Sequence, residues 1–155
     1  MSKKVLSFPK NKIKVLLLEK IDSVAKSIFE KEGYHIETQN GSLKEDELIK
    51  KIKDISILGI RSKTIISKKI LNSANRLLSI GAYCIGTNQI DLEECTKKGI
   101  ITFNAPYSNT RSVVEIVIGQ IIVLLRNIIN KSNQMHNGIW KKDSINSNEI
   151  RNKTL

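Results

Sequence analysis

Three short loops of this sequence carry polar side chains suited to binding a small anion. These loops are Arg61-Ser62-Lys63-Thr64, CIGTNQ at residues 84–89 and NAPYSNT at residues 104–110. Arg61 can direct two N–H donors at a carboxylate or phosphate, and Ser62 adds a hydroxyl. The turn at Ile85-Gly86 offers backbone N–H groups, and Asn109 offers a side-chain amide. The predicted chemistry is therefore recognition of a carboxylate or a phosphate.

Each of these residues also has a simpler alternative role. Arg61 could pair with a surface acid, and Asn109 or Thr110 could only cap the helix that follows. For single polar residues in loops, such roles are the more common outcome. The binding hypothesis depends on the three loops lying together.

Five strand-like runs alternate with helix-like segments and would bring the loops together. The runs cover residues 13–18, 34–39, 55–60, 76–82 and 100–103. Connections too long for hairpins favour a parallel sheet, so the predicted fold class is α/β with a doubly wound parallel sheet. Ligands of such sheets bind beyond the carboxyl ends of the strands. All three polar loops follow strands at that edge.

Polar residues and glycines mark the ends of the predicted helices. The predicted N-terminal signals are Asp22, the pair Ser42 and Glu45 and the pair Asp91 and Glu94, and the predicted stops are Gly33 and Gly99. The two pairs have the spacing of a capping box. A longer apolar helix is predicted from Arg111 onward, and the chain changes character from Asn127, where Asn, Lys and Ser become frequent.

Other catalytic motifs are weak. The stretch from Gly81 to Thr87 has P-loop glycine spacing, but Thr87 stands where the lysine should be. His35 and His136 have no nucleophile or acid nearby in sequence. The two cysteines, at positions 84 and 95, lack the spacing of metal ligands or of a disulfide framework. We predict no metal site and no catalytic residue in this chain, and reduced thiols suit a cytoplasmic protein.

The basic charge has two possible explanations. The chain has 26 Lys and Arg against 15 Asp and Glu, a net charge of +11. The cations are scattered and only 5% of residues are aromatic, so nucleic-acid binding is a minority hypothesis. The longest apolar stretch, 113–125, is interrupted by polar residues and too short for a membrane span. We expect a protein without a membrane anchor.

The polar loops and the apolar helix resemble a known family. The stretches GIRSKT, IGAYCIGTNQIDL, KGIITFNAPYSNTRSVVEIVIGQIIVLLR and HNGIWKK are similar to the N-terminal part of bacterial D-isomer-specific 2-hydroxyacid dehydrogenases that act on 3-phosphoglycerate. The resemblance runs from about residue 12 to the end of the chain. It implies NAD-dependent oxidation of 3-phosphoglycerate to 3-phosphohydroxypyruvate, the first step of serine synthesis, by a homo-oligomer. It also implies a flavodoxin-like substrate domain.

The resemblance also implies roles for individual residues. Arg61 and Ser62 match a substrate-contacting pair, and Ile85 and Gly86 match positions whose backbone N–H groups hold the substrate carboxylate. Asn109 matches a substrate contact near the interdomain hinge. Val113 matches an apolar position beside the nicotinamide of NAD. The implied organisation is an N-terminal extension (1–11), the first part of a substrate-binding domain (12–107), and a hinge helix with the start of an NAD-binding domain (108–155).

Several parts of the family pattern have no counterpart here. None of the eight glycines forms the G-x-G-x-x-G turn that takes the NAD pyrophosphate. The family's catalytic Arg, Glu and His have no match, and the substrate domain is incomplete. We expect a fragment of a dehydrogenase. The alternatives are a non-catalytic basic module that binds anionic metabolites or nucleic acid, and a marginally folded relic that self-associates through an exposed apolar helix.

The dehydrogenase-fragment hypothesis predicts that this chain alone does not reduce NAD in the presence of 3-phosphoglycerate. Hydride transfer needs the cofactor held against the substrate, and the matching residues are missing. The measurement is NADH absorbance with the purified 155-residue chain. Steady NADH production above the no-protein control would contradict the prediction.

Overall fold

The computed structural model describes residues 8–154, and five strands alternate with helices along them. The strands are β1 (Lys14–Leu17), β2 (His35–Thr38), β3 (Ile57–Ile60), β4 (Ser79–Ala82) and β5 (Ile101–Asn104). The helices are α1 (Ser23–Lys31), α2 (Glu45–Ile52), α3 (Lys68–Ser73), α4 (Leu92–Lys97), α5 (Thr110–Leu125) and α6 (Ile128–His136), with a 3-10 turn at Lys10–Lys12. All five predicted strands are present.

The five strands form one parallel sheet with the order β2-β1-β3-β4-β5. Leu17 pairs with Gly59 at the centre, where the direction of winding reverses between β1 and β3. Gly59 in turn pairs with Gly81, and Gly81 with Phe103. This order is that of flavodoxin-like sheets, so the doubly wound parallel fold is confirmed.

One face of the sheet carries the hydrophobic core. Alternate residues of the strands, such as Leu16, Leu58 and Ile80, are fully buried there. They form one cluster with Leu48 of α2 and Leu71 of α3. Because successive side chains of a strand point to opposite faces, the remaining strand residues line the other side.

The opposite face of the sheet is only partly covered. A groove of about 350 Å³ lies there, lined by Leu17, by Phe29 of α1 and by the glycines of β3 and β4. Tyr83 folds over this surface, with its Cε2 atom 3.2 Å from the place that a Cβ at Gly59 would occupy. Phe103 on β5 is exposed beside it. The absence of a side chain at Gly59 is what leaves room for Leu17 and Tyr83.

The predicted helix ends are confirmed in part. Asp22 caps α1 by accepting from the Val24 N–H at 2.8 Å, and Asp91 caps α4 by accepting from the Glu94 N–H at 2.9 Å. The carboxylate of Glu94 itself lies 3.4 Å from Lys68 Nζ. The predicted stops are also confirmed, since the glycines at 33 and 99 have φ of +85° and +66°.

The predicted capping box of Ser42 and Glu45 is wrong. Helix α2 begins at Glu45, and its N-cap residue is Lys44 in an extended conformation. Glu47 takes the acidic position of the box, because its carboxylate accepts from the Lys44 N–H at 3.3 Å. Glu45 instead accepts from Ser67 Oγ at 2.8 Å. Three consecutive acids at the start of α2 favour this later beginning, since each interacts with the positive end of the helix.

The chain divides into two compact units, the first ending at Ser108 and the second beginning at Asn109. The second unit contains α5 and α6, joined at Asn127 with φ of +53°. Helix α6 was not predicted. The assignment of 12–107 and 108–155 to two domains stays a prediction. Of the proposed extension 1–11, residues 1–7 lie outside the described part of the chain, as does the last residue, 155.

Helix α5 carries many exposed apolar side chains, among them Val113, Ile116, Val117 and Leu124, while Ile121 is half-buried. No single helix of residues 8–154 has the length and apolarity to cross a membrane. Helices α5 and α6 pass that test only as a pair, and they are bent by 65° relative to each other.

The groove predicts that a side chain at position 59 destabilises the fold. A Cβ at Gly59 would lie 2.6 Å from Leu17 Cδ2, so Gly59→Val should lower the free energy of unfolding by about 1–3 kcal/mol through overpacking. Urea denaturation followed by circular dichroism measures this change. The matched control is Gly41→Val, because nothing lies within 4 Å of a Cβ there. Equal stability of the two variants would contradict the packing account.

Candidate functional site

The loop after β3 presents the first pair of candidate residues at the carboxyl edge of the sheet. Arg61 and Ser62 are both exposed there. Within residues 8–154 no carboxylate lies at salt-bridge distance from the Arg61 guanidinium. The simpler alternative, that Arg61 pairs with a surface acid, therefore has no support in this part of the chain, and the guanidinium is available to a ligand.

The turn after β4 presents the second pair, Ile85 and Gly86. The Ile85 carbonyl accepts from Asn104 Nδ2 at 2.8 Å, and the Cys84 carbonyl accepts from the Ala105 N–H at 3.0 Å. These contacts fix the turn against the end of β5. The carbonyls are thereby occupied, whereas no acceptor within residues 8–154 takes the N–H groups of Ile85 and Gly86. These two N–H groups can bind an anion.

A buried glutamine ties the two loops together. Gln89 Nε2 donates to the Arg61 carbonyl at 2.9 Å and lies 3.3 Å from the Gly86 carbonyl. The main chain beside it adds a bridge, because the Ile66 N–H donates to the Gln89 carbonyl at 2.8 Å. The structure thus brings four of the predicted residues to one edge, on loops that share hydrogen bonds.

The other two predicted residues, Asn109 and Val113, belong to the second unit. Asn109 is the N-cap residue of α5, but its side chain makes no capping hydrogen bond, so capping by the Asn109 side chain is not supported. Val113 lies in the first turns of α5 with half of its surface exposed. Their roles at the substrate and at the nicotinamide stay predictions.

The remaining sequence motifs lie in secondary structure or in the core. Gly81 lies inside β4, so the stretch from Gly81 to Thr87 begins as a strand. His35 is exposed on β2, and His136 ends α6 with its Nδ1 atom 2.8 Å from the Ser132 carbonyl. Cys95 is buried, and burial raises the pKa of its thiol. Among the described residues no group of three His, Cys, Asp or Glu could hold a metal ion.

Sequence reasoning missed Glu19 as part of this site, and it did not single out Gln89 and Asn104 within the polar loops that contain them. Glu19 follows β1, and its buried carboxylate accepts backbone N–H groups from the loop that carries Arg61. Burial on its own raises the pKa of Glu19, and the hydrogen bonds from that loop outweigh it and lower the pKa below its usual value. The rule that polar residues after parallel strands converge at one edge applied to Glu19 as well and would have found it.

The glutamine contacts predict a loss of stability and order on truncation. Gln89→Ala leaves the Arg61 carbonyl without its side-chain donor, so the free energy of unfolding should fall by about 1–3 kcal/mol. Thermal denaturation measures this, and backbone amide exchange of residues 61–64 should become faster. The control is Asn88→Ala, an exposed amide in the same loop. A Gln89 variant as stable as the control would contradict the prediction.

The family comparison identifies the chain over nearly its whole length. The sequence model of the D-isomer specific 2-hydroxyacid dehydrogenase catalytic domain matches residues 15–153. That range includes both loops of the site and all of α5 and α6.

Curated relatives are similar over most of this chain. A D-3-phosphoglycerate dehydrogenase of Dictyostelium discoideum is 53% identical over 149 residues, which are 96% of this chain and 37% of the relative. D-3-phosphoglycerate dehydrogenase 2 of Saccharomyces cerevisiae is 49% identical over 148 residues, or 96% of this chain and 32% of the relative. The chain thus spans about a third of the length of these relatives.

Solved structures show the same fold. The NAD⁺-bound 3-phosphoglycerate dehydrogenase of Entamoeba histolytica superposes with a TM-score of 0.63 at 27% identity, covering 74% of this chain and 40% of that one. The D-lactate dehydrogenase of Aquifex aeolicus, in complex with NAD and lactic acid, reaches a TM-score of 0.71 at 18% identity, covering 87% and 40%. The matched residues 15–153 show that the chain belongs to the D-isomer specific 2-hydroxyacid dehydrogenase family.

Proposed function

We propose that this chain supplies the substrate-binding part of an NAD-dependent dehydrogenase that oxidises 3-phosphoglycerate to 3-phosphohydroxypyruvate, the first step of serine biosynthesis. The observation that carries the proposal is the pair of hydrogen-bonded loops that present Arg61, Ser62 and the N–H groups of Ile85 and Gly86 at one edge of the sheet. The names of the curated relatives support the choice of substrate.

The two loops offer complementary chemistry to a ligand that carries both a carboxylate and a phosphate. The guanidinium of Arg61 forms paired N–H bonds to planar anions, and the Ser62 hydroxyl adds a donor. The N–H groups of the Ile85-Gly86 turn can donate hydrogen bonds to a carboxylate without any charged side chain. Asn109 is proposed as a further substrate contact from the start of α5.

NAD is the cofactor that this proposal requires, and it supplies the hydride acceptor when bound. Within residues 8–154 the fit to NAD is limited to an apolar contact, for which Val113 is the proposed residue. The glycines of the chain form no G-x-G-x-x-G turn between a strand and a helix, so the pyrophosphate has no cradle here. We therefore assign substrate binding, and no hydride-transfer step, to the residues of this chain.

Burial against a second domain of the whole enzyme is proposed for the apolar surface of α5, as expected of a hinge helix. Its exposed valines, isoleucines and leucine form a surface that proteins normally cover with a second domain or a second subunit. Homo-oligomer formation by the whole enzyme, in the cytoplasm, is part of the proposal.

The proposal predicts that 3-phosphoglycerate binding depends on the first loop. Arg61→Ala should weaken binding by about tenfold to a hundredfold, since a charge-assisted paired contact is lost, and Ser62→Ala should weaken it less. Isothermal titration calorimetry with the 155-residue chain measures both. The control is Lys97→Ala, which removes an exposed cation paired with Glu93 on α4.

The alternative function, a basic module for anionic metabolites or nucleic acid, gives a different pattern. Binding would then follow total charge, so Arg61→Ala and Lys97→Ala would have equal effects. Affinity for generic DNA would also fall steeply with salt, because counterions are released from the phosphates. That pattern, or no binding of 3-phosphoglycerate by the unaltered chain, would overturn the proposed function.

A further inference from the structure

Glu19 is a nearly buried carboxylate surrounded by backbone donors. It follows β1 directly and is 7% exposed. Its Oε1 atom accepts from the N–H groups of Arg61 at 3.2 Å and Thr64 at 2.8 Å, and its Oε2 atom accepts from the N–H of Lys63 at 3.0 Å. One side chain therefore binds three peptide groups of the loop after β3.

An unusual backbone conformation accompanies this arrangement. Glu19 and Lys20 have φ of +60° and +54°, a left-handed region that residues with a Cβ seldom occupy. Their N–H groups donate across to the carbonyls of Gly41 and Gln39 at 3.2 and 3.3 Å. Two consecutive residues in this conformation persist only where their surroundings hold them, which is typical of functional sites.

The loop is held from its other side by Gln89. The N–H of Arg61 binds Glu19, and the carbonyl of Arg61 binds Gln89 Nε2 at 2.9 Å. Both polar groups of the Arg61 main chain are thus occupied inside the protein. The guanidinium is the group of Arg61 that is left for a ligand.

We propose that Glu19 is a positioning residue, which fixes the main chain of Arg61 to Thr64 so that Arg61 and Ser62 meet the substrate in a preformed geometry. This inference rests on the proposed function, because it names what holds the proposed substrate site in place. Glu19 itself does not contact the substrate, since its oxygens are used by the loop. A ligand that finds the loop already ordered avoids the entropy of ordering it.

The proposal makes a prediction of opposite sign to simple electrostatics. Glu19→Gln removes a negative charge beside an anion site, and charge alone would make binding tighter. Loss of the loop's position would make binding weaker. In the variant, the side-chain amide nitrogen of glutamine is a donor and cannot accept from the Lys63 N–H, or from the N–H groups of Arg61 and Thr64 if it faces them. We expect 3-phosphoglycerate to bind about tenfold or more weakly to Glu19→Gln, as small misplacements of binding groups do. Titration calorimetry measures the dissociation constants.

The matched control is Glu37→Gln. It makes the same charge change on the neighbouring strand β2, where Glu37 pairs with Lys51 at 3.6 Å, away from the loop. Binding by this variant should equal that of the unaltered chain. Amide hydrogen exchange followed by NMR should become faster at residues 61, 63 and 64 in Glu19→Gln and stay unchanged in Glu37→Gln.

A pH titration of the unaltered chain provides a second measurement that needs no variant. The pKa of Glu19 is lowered in the folded protein, so its contribution is present at neutral pH and is lost as the pH falls through that pKa. The amide resonances of residues 61, 63 and 64 should therefore shift together, with one midpoint below the usual value for a glutamate. The positioning role requires this shared midpoint, which can be measured even if Glu19→Gln does not fold.

The outcomes separate the two proposals. If the unaltered chain does not bind 3-phosphoglycerate, the proposed function fails, while the amide measurements still decide whether Glu19 holds the loop. If the chain binds and Glu19→Gln binds equally well or more tightly, the positioning role is overturned. Three amides that titrate independently, or not at all, would also overturn it.

Discussion

The parallel pairing of β1 with β3 is the constraint on which the site depends. Leu17 lies level with Gly59, and the Leu18 N–H donates to the Gly59 carbonyl at 2.9 Å. Carrying this register two residues further places Glu19 level with Arg61. The Glu19 carboxylate therefore continues the hydrogen bonding between β1 and β3. Its side chain binds the loop at the point where the two main chains separate. The reversal of winding between these strands opens the space in which the loop lies.

The arrangement of strands could be predicted from the sequence because it depends on patterns of neighbouring residues. Short strand-like runs, most of them rich in branched apolar residues, predicted all five strands. Asp22 and Asp91 were predicted as helix N-terminal signals, and their side chains accept from amides two or three residues on. The start of α2 was missed, because two overlapping pairs, Ser42 with Glu45 and Lys44 with Glu47, both have the spacing of a capping box. The structure uses the second pair. Helix α6 was missed because its apolar residues are few among Asn, Lys and Ser.

The hydrogen bonds that support the site could not be predicted, although the position of Glu19 after β1 could have been, because these bonds join residues distant in sequence. Glu19 and Thr64 are 45 residues apart, and Gln89 and Arg61 are 28 apart. The left-handed conformation of Glu19 gives no signal either, since neither it nor Lys20 is a glycine or an asparagine. The exposed residues Arg61 and Ser62 were easier to find than the residues that hold them.

The use of main-chain donors has a consequence for which sequences this loop accepts. At position 63 Glu19 binds the main-chain N–H, so the residue there is free to vary in size and charge, and the lysine that occupies it is exposed. Proline is the exception, because it has no N–H to donate. Proline should thus be excluded from positions 61, 63 and 64 because Glu19 needs their N–H groups, a reason unrelated to the substrate. Tolerance at position 63 and intolerance of proline form a signature of the fold that variation among related sequences can display.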